Sequence, residues 1–340
     1  MARGSEIRQR DRVNQNRNSP GLSRRAFIGN VAVGLGTLLY PRLAPAENAA
    51  EDAGKKARVV IVRNPAVISR GKIIAEVAEQ MVHRAVCLLT GKQEPTLAWK
   101  SLFSPKEKVA IKVNTRHPPV IGNREVVMAI VSGLKSIGID DNRIIIYDLT
   151  DRELAAAGYT LNDSSKGLRC HTNREYREMM AGPVRVSLSR ILTDDADAIV
   201  NVPSFRHHIR AGVTISMKNH LGSIQNPRAF HRDNCSHVAD LNALDPIRKK
   251  RRLIIVDAIR GQYNFGPMHA PWFVWEYAGL MASTDPVAVD SVAAEEMKAQ
   301  RHKKGVEGPI RPTIKHIPRA AEMGLGIGDL KRINVVRETA

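Results

Sequence analysis

The stretch KVAIKVN, Lys108 to Asn114, packs apolar residues side by side where a strand with one wet face would alternate apolar and polar. Runs of this kind recur as ARVVIV (57–62), RIIIYD (143–148), PVRVSLS (183–189) and ADAIVNVP (196–203). They continue as RLIIVDAI (252–259), AGLMAST (278–284) and RINVV (332–336). Helical patterns lie between them. Ile74, Val77, Ala78, Met81, Ala85 and Leu88 recur at helical spacing across 71–90, and a second pattern spans 123–137 and stops before Gly138. Asp285-Pro286 opens a third, running to about Gln300. Continuous apolar strands separated by helices predict an α/β fold, with a largely parallel sheet and helices on both faces. No repeat or low-complexity tract interrupts it.

The composition is that of a folded chain: 340 residues, 43% hydrophobic and 25% charged. Aromatics are only 4%, so the core must be built from aliphatic side chains and Met. Formal net charge is +18. Residues 1–46 hold eight Lys/Arg against two acids, which leaves +12 for the rest, a field that favours anionic ligands. In that first segment SRRAFIG (23–29) leads into the apolar run AFIGNVAVGLGTLLY and then APA (44–46). Arginines, a moderately apolar run too short to span a bilayer and a small-x-small end are the pattern of a cleaved export signal. Paired Arg24 and Arg25 before Ala26-Phe27-Ile28 resemble the twin-arginine signal, with an ordinary secretory signal or a membrane anchor as the alternatives. The expected organisation is a signal at 1–46 cleaved near Ala46, a linker at 47–57 and a single α/β domain at 58–340. The expected location is the periplasm, the expected partner is the twin-arginine export machinery, and no stable membrane span remains after cleavage. That route carries folded proteins, often because a cofactor is inserted first.

Cys87, Cys170 and Cys235 form no C-x-x-C, so these cysteines are not expected to hold an iron–sulfur cluster. Cys87 falls on the apolar face of the 71–90 helix. A Cys170–Cys235 disulfide stays open.

In such sheets, ligands gather beyond the carboxyl ends of the strands. Asn114, Thr115, Arg116 and His117 stand there, with Asp148, Asn201, Asp257, Ser283, Thr284 and Asp285. So does SFRHHIRAGVTISMKNHLGSIQNPRAFH (204–231), which holds four of the 11 histidines and Lys218 yet has neither helical nor strand period. It reads either as a solvated basic loop or as the floor of a cationic pocket. Gly212 and Gly222 permit close approach and Val213, Ile215, Met217 and Leu221 can anchor it, so the floor is expected.

The ordered series KVN (112–114), DADAIVNVPSFRHH (195–208), TISMKNHLGSI (214–224), IIVDAI (254–259), GP (266–267), LMASTDPVAVDSVAAE (280–295) and GLGIGDL (324–330) resembles the bacterial family called domain of unknown function 362. The resemblance covers about 107–337. It implies an α/β fold and no particular reaction. Many members also carry a cysteine-rich ferredoxin segment, which this sequence lacks, and Ala258 stands where glycine is common.

Lys218, in the K-N-x-x-G motif, is the candidate to bind an anion or, if burial lowers its pKa, to act as a base. Asp257 is the second catalytic candidate. Lys112, Asn114, Asn201, His207 and Asn219 are candidates for substrate binding. His207, His208, His220, His231 and His237 are a candidate constellation for a transition metal, with His220 and His231 foremost, although none has the tight spacing of H-E-x-x-H. Asp285 before Pro286 reads as a helix cap. Asp290, about 140° further round the helix, does not share its face. GLGIG follows a helix and reads as its end and turn, not as a phosphate loop. IRKKRR (247–252) closes a helix, and no nucleic acid is expected. Two functional classes remain: an enzyme acting on a small anionic substrate, with a metal or other cofactor as a candidate, and a periplasmic ligand-binding or cofactor-maturation protein without turnover.

Overall fold

The computed structural model describes residues 56–339, so the export signal and all but the end of the linker lie outside the described residues. The described residues form one compact unit. Its ten-stranded sheet uses β1 (Ala57–Arg63), β2 (Val109–Lys112), β3 (Ile144–Tyr147), β4 (Arg169–Cys170), β7 (Ala198–Asn201), β8 (Ser204–His208), β9 (Gly212–Thr214), β10 (Arg251–Gln262), β11 (Val274–Ser283) and β12 (Ile333–Thr339). A separate two-stranded sheet is formed by β5 (Tyr176–Ala181) and β6 (Val184–Ser189). The main order is β12-β1-β11-β10-β7-β2-β3-β4, with β8 pairing β9 and β10. Its ladders are parallel except where β11 meets β1 and β10, and in the β8–β9 hairpin.

The continuous apolar strands are buried on both sides, as their composition requires. Ile111, Val200 and Ile146 face one half of the core, while Ala110, Ile199 and Ile145 face the other. Helix α1 (Ala75–Thr90) and α3 (Arg124–Lys135) cover the first face, with α2 (Pro95–Lys100) beside them. On α1, Ala78, Met81, Val82, Ala85 and Val86 turn inward at helical spacing, and Gly91 in a left-handed cap ends it. The second face takes α4 (Ser216–Asn219), α5 (Pro286–Lys303) and α6 (His316–Glu322). Among the described residues, no helix is long and apolar enough to cross a membrane.

Cap chemistry sets the start of α5. Asp285 Oδ1 accepts N–H bonds from Val287 and Ala288 at 2.8 and 2.9 Å, and Oδ2 accepts Ile327 N at 2.9 Å. The same carboxylate thus fixes the glycine-rich turn, where a Cβ on Gly326 would strike it. The run at 183–189 differs from the expectation: it leaves the main sheet and pairs with 176–181. Cys87, Cys170 and Cys235 are buried and free, and the last two sit in opposite halves of the core.

Candidate functional site

A cleft with a cavity volume of about 520 Å³ opens at the carboxyl ends of β2 and β3, and residues from 204–231 form most of its wall. One rung of the sheet sets its base. Lys112 registers with Tyr147 on one side and Asn201 on the other, so the three side chains share a face. Lys112 Nζ donates to Asp148 Oδ1 at 2.8 Å and to Val113 O at 2.6 Å. Asp148 Oδ2 accepts from Thr115 N and Oγ1 at 2.7 and 2.8 Å. Burial pulls the Lys112 amine below its ordinary range, and the Asp148 charge opposes that pull.

Three asparagines tie the base together. Asn219 Nδ2 donates to Asn201 Oδ1 at 2.7 Å, while Asn219 Oδ1 accepts from Lys112 Nζ and Asn114 Nδ2, each at 3.3 Å. Gly222 lies so close that a Cβ there would stand 2.5 Å from Asp148 Oδ1 and 2.6 Å from Lys112 Nζ. Only glycine leaves the ion pair intact.

Above this base lie two buried cations with a different environment. Arg206 Nη1 donates to the carbonyls of Arg116 and Val120 at 2.7 and 3.1 Å, and Nη2 to Asn114 Oδ1 at 2.7 Å. Burial lowers its pKa to about 10. Among the described residues, Lys218 Nζ meets only His231 Nε2, at 3.4 Å. Burial, with Arg206 and Arg116 nearby, pulls Lys218 down to about 8. Among the described residues, neither cation forms a salt bridge to a carboxylate. His231 stacks on His208, with centroids 5.7 Å apart and planes 5° from parallel. His208 Nδ1 accepts the Arg210 N–H at 3.0 Å, which fixes the proton of the neutral ring on Nε2. Burial lowers His231 and His117 to about 4 and His208 further still, so all three stay neutral at pH 7.

The structure brings Lys112, Asn114, Lys218, Asn219 and His231 into this cleft, together with His208 of the histidine constellation and Arg116, His117 and Asp148 of the strand ends. Asn201 stands one hydrogen bond behind it. Four candidates fall elsewhere: Asp257, His207, His220, and His237, whose Nδ1 bonds to Asp240 Oδ2 at 2.9 Å. Asp257 is mid-strand, because β10 continues three residues past Ile259, and its carboxylate accepts Asn123 N at 2.6 Å and Nδ2 at 2.8 Å. There it anchors the start of α3 and is no wall of the cleft. His207 donates from Nε2 to Arg311 O at 2.7 Å on the far face of β8. His220 is wholly buried outside the lining, and neither ring nitrogen has a partner. The pair His220 and His231 therefore does not share the cleft. Among the described residues, no group of three or more His, Cys, Asp or Glu could hold a metal ion.

Arg206 was missed in the sequence, and His208 was singled out only as one of five histidines for a metal, not as a wall of the anion cleft. Residues of a strand alternate between faces, so once 204–208 is a strand, Arg206 and His208 go one way and Phe205 and His207 the other. Asp290 was also missed: wholly buried on α5, it accepts Ser216 N at 2.8 Å and Met217 N at 3.1 Å. Ser283 and Asp285 do not reach the cleft, because antiparallel β11 delivers its carboxyl end to the opposite edge of the sheet.

Comparison with known proteins adds a family. No curated protein matches the chain. A crystal structure of a protein from Thermotoga maritima, solved as a structural-genomics target, is similar with a TM-score of 0.40 and 10% identity, covering 68% of this chain. The chain spans 59% of that protein's length. The family model described as domain of unknown function (DUF362) matches residues 109–295, more than half of the chain and every wall residue of the cleft. The chain belongs to the DUF362 family.

Proposed function

We propose that this is an exported protein whose cleft binds a small anion, a carboxylate or a phosphate, between Lys218 and Arg206, and that Lys218 moves a proton on that ligand. One observation carries the reading: two buried cations line a cleft and, among the described residues, neither forms a salt bridge, the Asp148 carboxylate that acts on Arg206 from a distance being held by Lys112 and Thr115. A buried charge costs several kcal/mol unless paired, so the fold has left its counter-charge to a ligand. The cationic mouth, with Arg116, Arg210 and Arg228 exposed around it, supports entry of anions. Export is supported by Arg24-Arg25 and Ala44-Pro45-Ala46 in the sequence.

Proton transfer is supported by the Lys218 environment. With its pKa near 8, the amine is mostly a cation at pH 7 and can donate, while a modest rise in pH makes it a base. His231, neutral at that pH, accepts from Lys218 through Nε2 and so carries its own proton on Nδ1.

A second reading, binding without turnover, is favoured by the carboxylates. Asp148 is engaged by Lys112 and Thr115, and Glu153 by Arg116 and Thr150, so no free acid joins Lys218. Titration calorimetry with butanoate and phosphate tests the shared claim. Binding by the wild type and its loss in Lys218→Met support the site, and no binding of either anion removes it. Lys218→Arg separates the readings: it keeps the charge and loses proton transfer, so retained activity in that variant excludes Lys218 as the proton carrier.

A further inference from the structure

The cationic cleft does not end in a polar rim. Ile209 and Pro267 are part of its wall. Ile209 is 49% exposed; within two residues of Pro267 in the chain Phe265 is 59% and Met268 60% exposed, and Trp272, further along the same loop, is 84% exposed. For a chain with 4% aromatic residues, this concentration of exposed apolar surface is unusual, and such surface marks an interaction site.

The loop carrying it is built and held. Ile209 N donates to Gly266 O at 2.8 Å, joining the tip of the β8–β9 hairpin to the loop. Gln262 Nε2 donates to Asn264 O and Met268 O, both at 2.9 Å, and Tyr263 OH to Trp272 O at 3.2 Å. A Cβ on Gly266 would strike the His207 carbonyl, so the loop lies tight against β8. Phe265 is held at a φ of 55°, a left-handed conformation that bulky residues avoid, and its ring stacks on Phe273 at 5.0 Å. Strain of this kind in an exposed aromatic residue fits a surface kept for a ligand and not for the core.

Resting on the anion-binding reading above, we infer that the ligand is an amphiphilic anion: its charged head sits at Lys218 and Arg206, and its apolar chain runs out past Ile209 and Pro267 over Phe265, Met268 and Trp272. Charge complementarity selects the head, and the exposed apolar side chains of this loop select the tail. Each methylene taken from water on those side chains adds to affinity, so chain length reads directly on them.

Calorimetry on the purified full chain at pH 7 compares butanoate with octanoate, both monomeric, in the wild type and in Phe265→Asn/Trp272→Ser. Asparagine tolerates the left-handed backbone and Trp272 is exposed, so this variant keeps the fold. Octanoate is expected to bind at least about tenfold tighter than butanoate in the wild type. The variant is expected to leave butanoate unchanged within about twofold and to remove most of the octanoate advantage. Equal affinity for the two acids, or an advantage that survives in the variant, overturns the inference while butanoate binding upholds the anion site. Failure of butanoate and octanoate alike strikes both. Sedimentation with vesicles containing phosphatidylglycerol distinguishes the source: vesicle binding without any octanoate preference overturns the inference in favour of a membrane surface.

Discussion

Lys218 is the residue at which the fold gives up stability. Its amine is buried with no carboxylate beside it, and its pKa is lowered from 10.5 to about 8. A depressed lysine pKa means that the unfolded chain binds more protons than the folded one between those values. The apo protein therefore loses this part of its stability as pH falls from 10.5 through 8. Lys218→Met, similar in length and apolar, is expected to raise the stability of the apo protein at pH 7 by about 2–3 kcal/mol, while anions no longer stabilise it. Thermal melts of both proteins over pH 7–10.5 check this, and a destabilised variant would show that the contact with His231 outweighs the cost of burying the amine. At this scale the sequence was half legible. Lys218 and Asn219 stood in a recognisable motif, whereas His207 was preferred to His208 because nothing in five residues announced a strand. Asp257 misled for a related reason: the apolar run ends at Ile259, yet β10 runs on through Gly261 and Gln262.

At the scale of elements, the question is what holds Lys218 in place. Helix α4 is a single turn, which has no stability of its own. Three side chains from elsewhere satisfy its backbone: Asp290 at the N–H groups of Ser216 and Met217, Asn201 at Ser216 O and Asn242 at Met217 O. Asp290→Ala leaves two buried donors unpaired and is expected to cost about 2 kcal/mol or more, and to weaken anion binding although Asp290 touches no anion. Denaturant melts and calorimetry measure the two effects, and unchanged anion affinity in a destabilised variant would separate Asp290 from the site. Gly222→Ala forces a methyl group into the Lys112–Asp148 pair, with an expected cost of about 1–3 kcal/mol and loss of anion binding. Its neutrality in the same assays would mean that the turn can shift without harm. The glycine and the apolar anchors of this stretch were readable. The hairpin of β8 and β9 was not, since five polar and aromatic residues followed by a three-residue strand lack a period long enough to detect.

Across the whole molecule, the parallel strands declared themselves by continuous apolar runs, and they place the cleft at their carboxyl ends. The one long antiparallel strand did not. A reversed strand has the same composition as its neighbours, so Ser283 and Asp285 were expected at the wrong edge. Beyond the described residues, the export proposal rests on Arg24 and Arg25. Changing both to lysine is expected to leave an uncleaved precursor in the cytoplasm of the producing cell, and normal cleavage of that variant would remove the twin-arginine route. The positive charge of the whole chain adds a long-range term: anion binding should weaken as salt rises, through screening of the exposed arginines at the mouth.

The central claim is that the missing counter-charge of Lys218 and Arg206 is a ligand. Calorimetric titration of the wild-type protein with butanoate and phosphate, repeated from pH 7 to 10 in buffers of different ionisation heat, tests it most directly. An anion beside Lys218 raises its pKa above about 8, so binding near that pH must take up protons, and affinity must fall as the amine loses its charge. The account predicts both. Absence of binding for either anion, or binding that is unchanged across this range with no proton uptake, would contradict it.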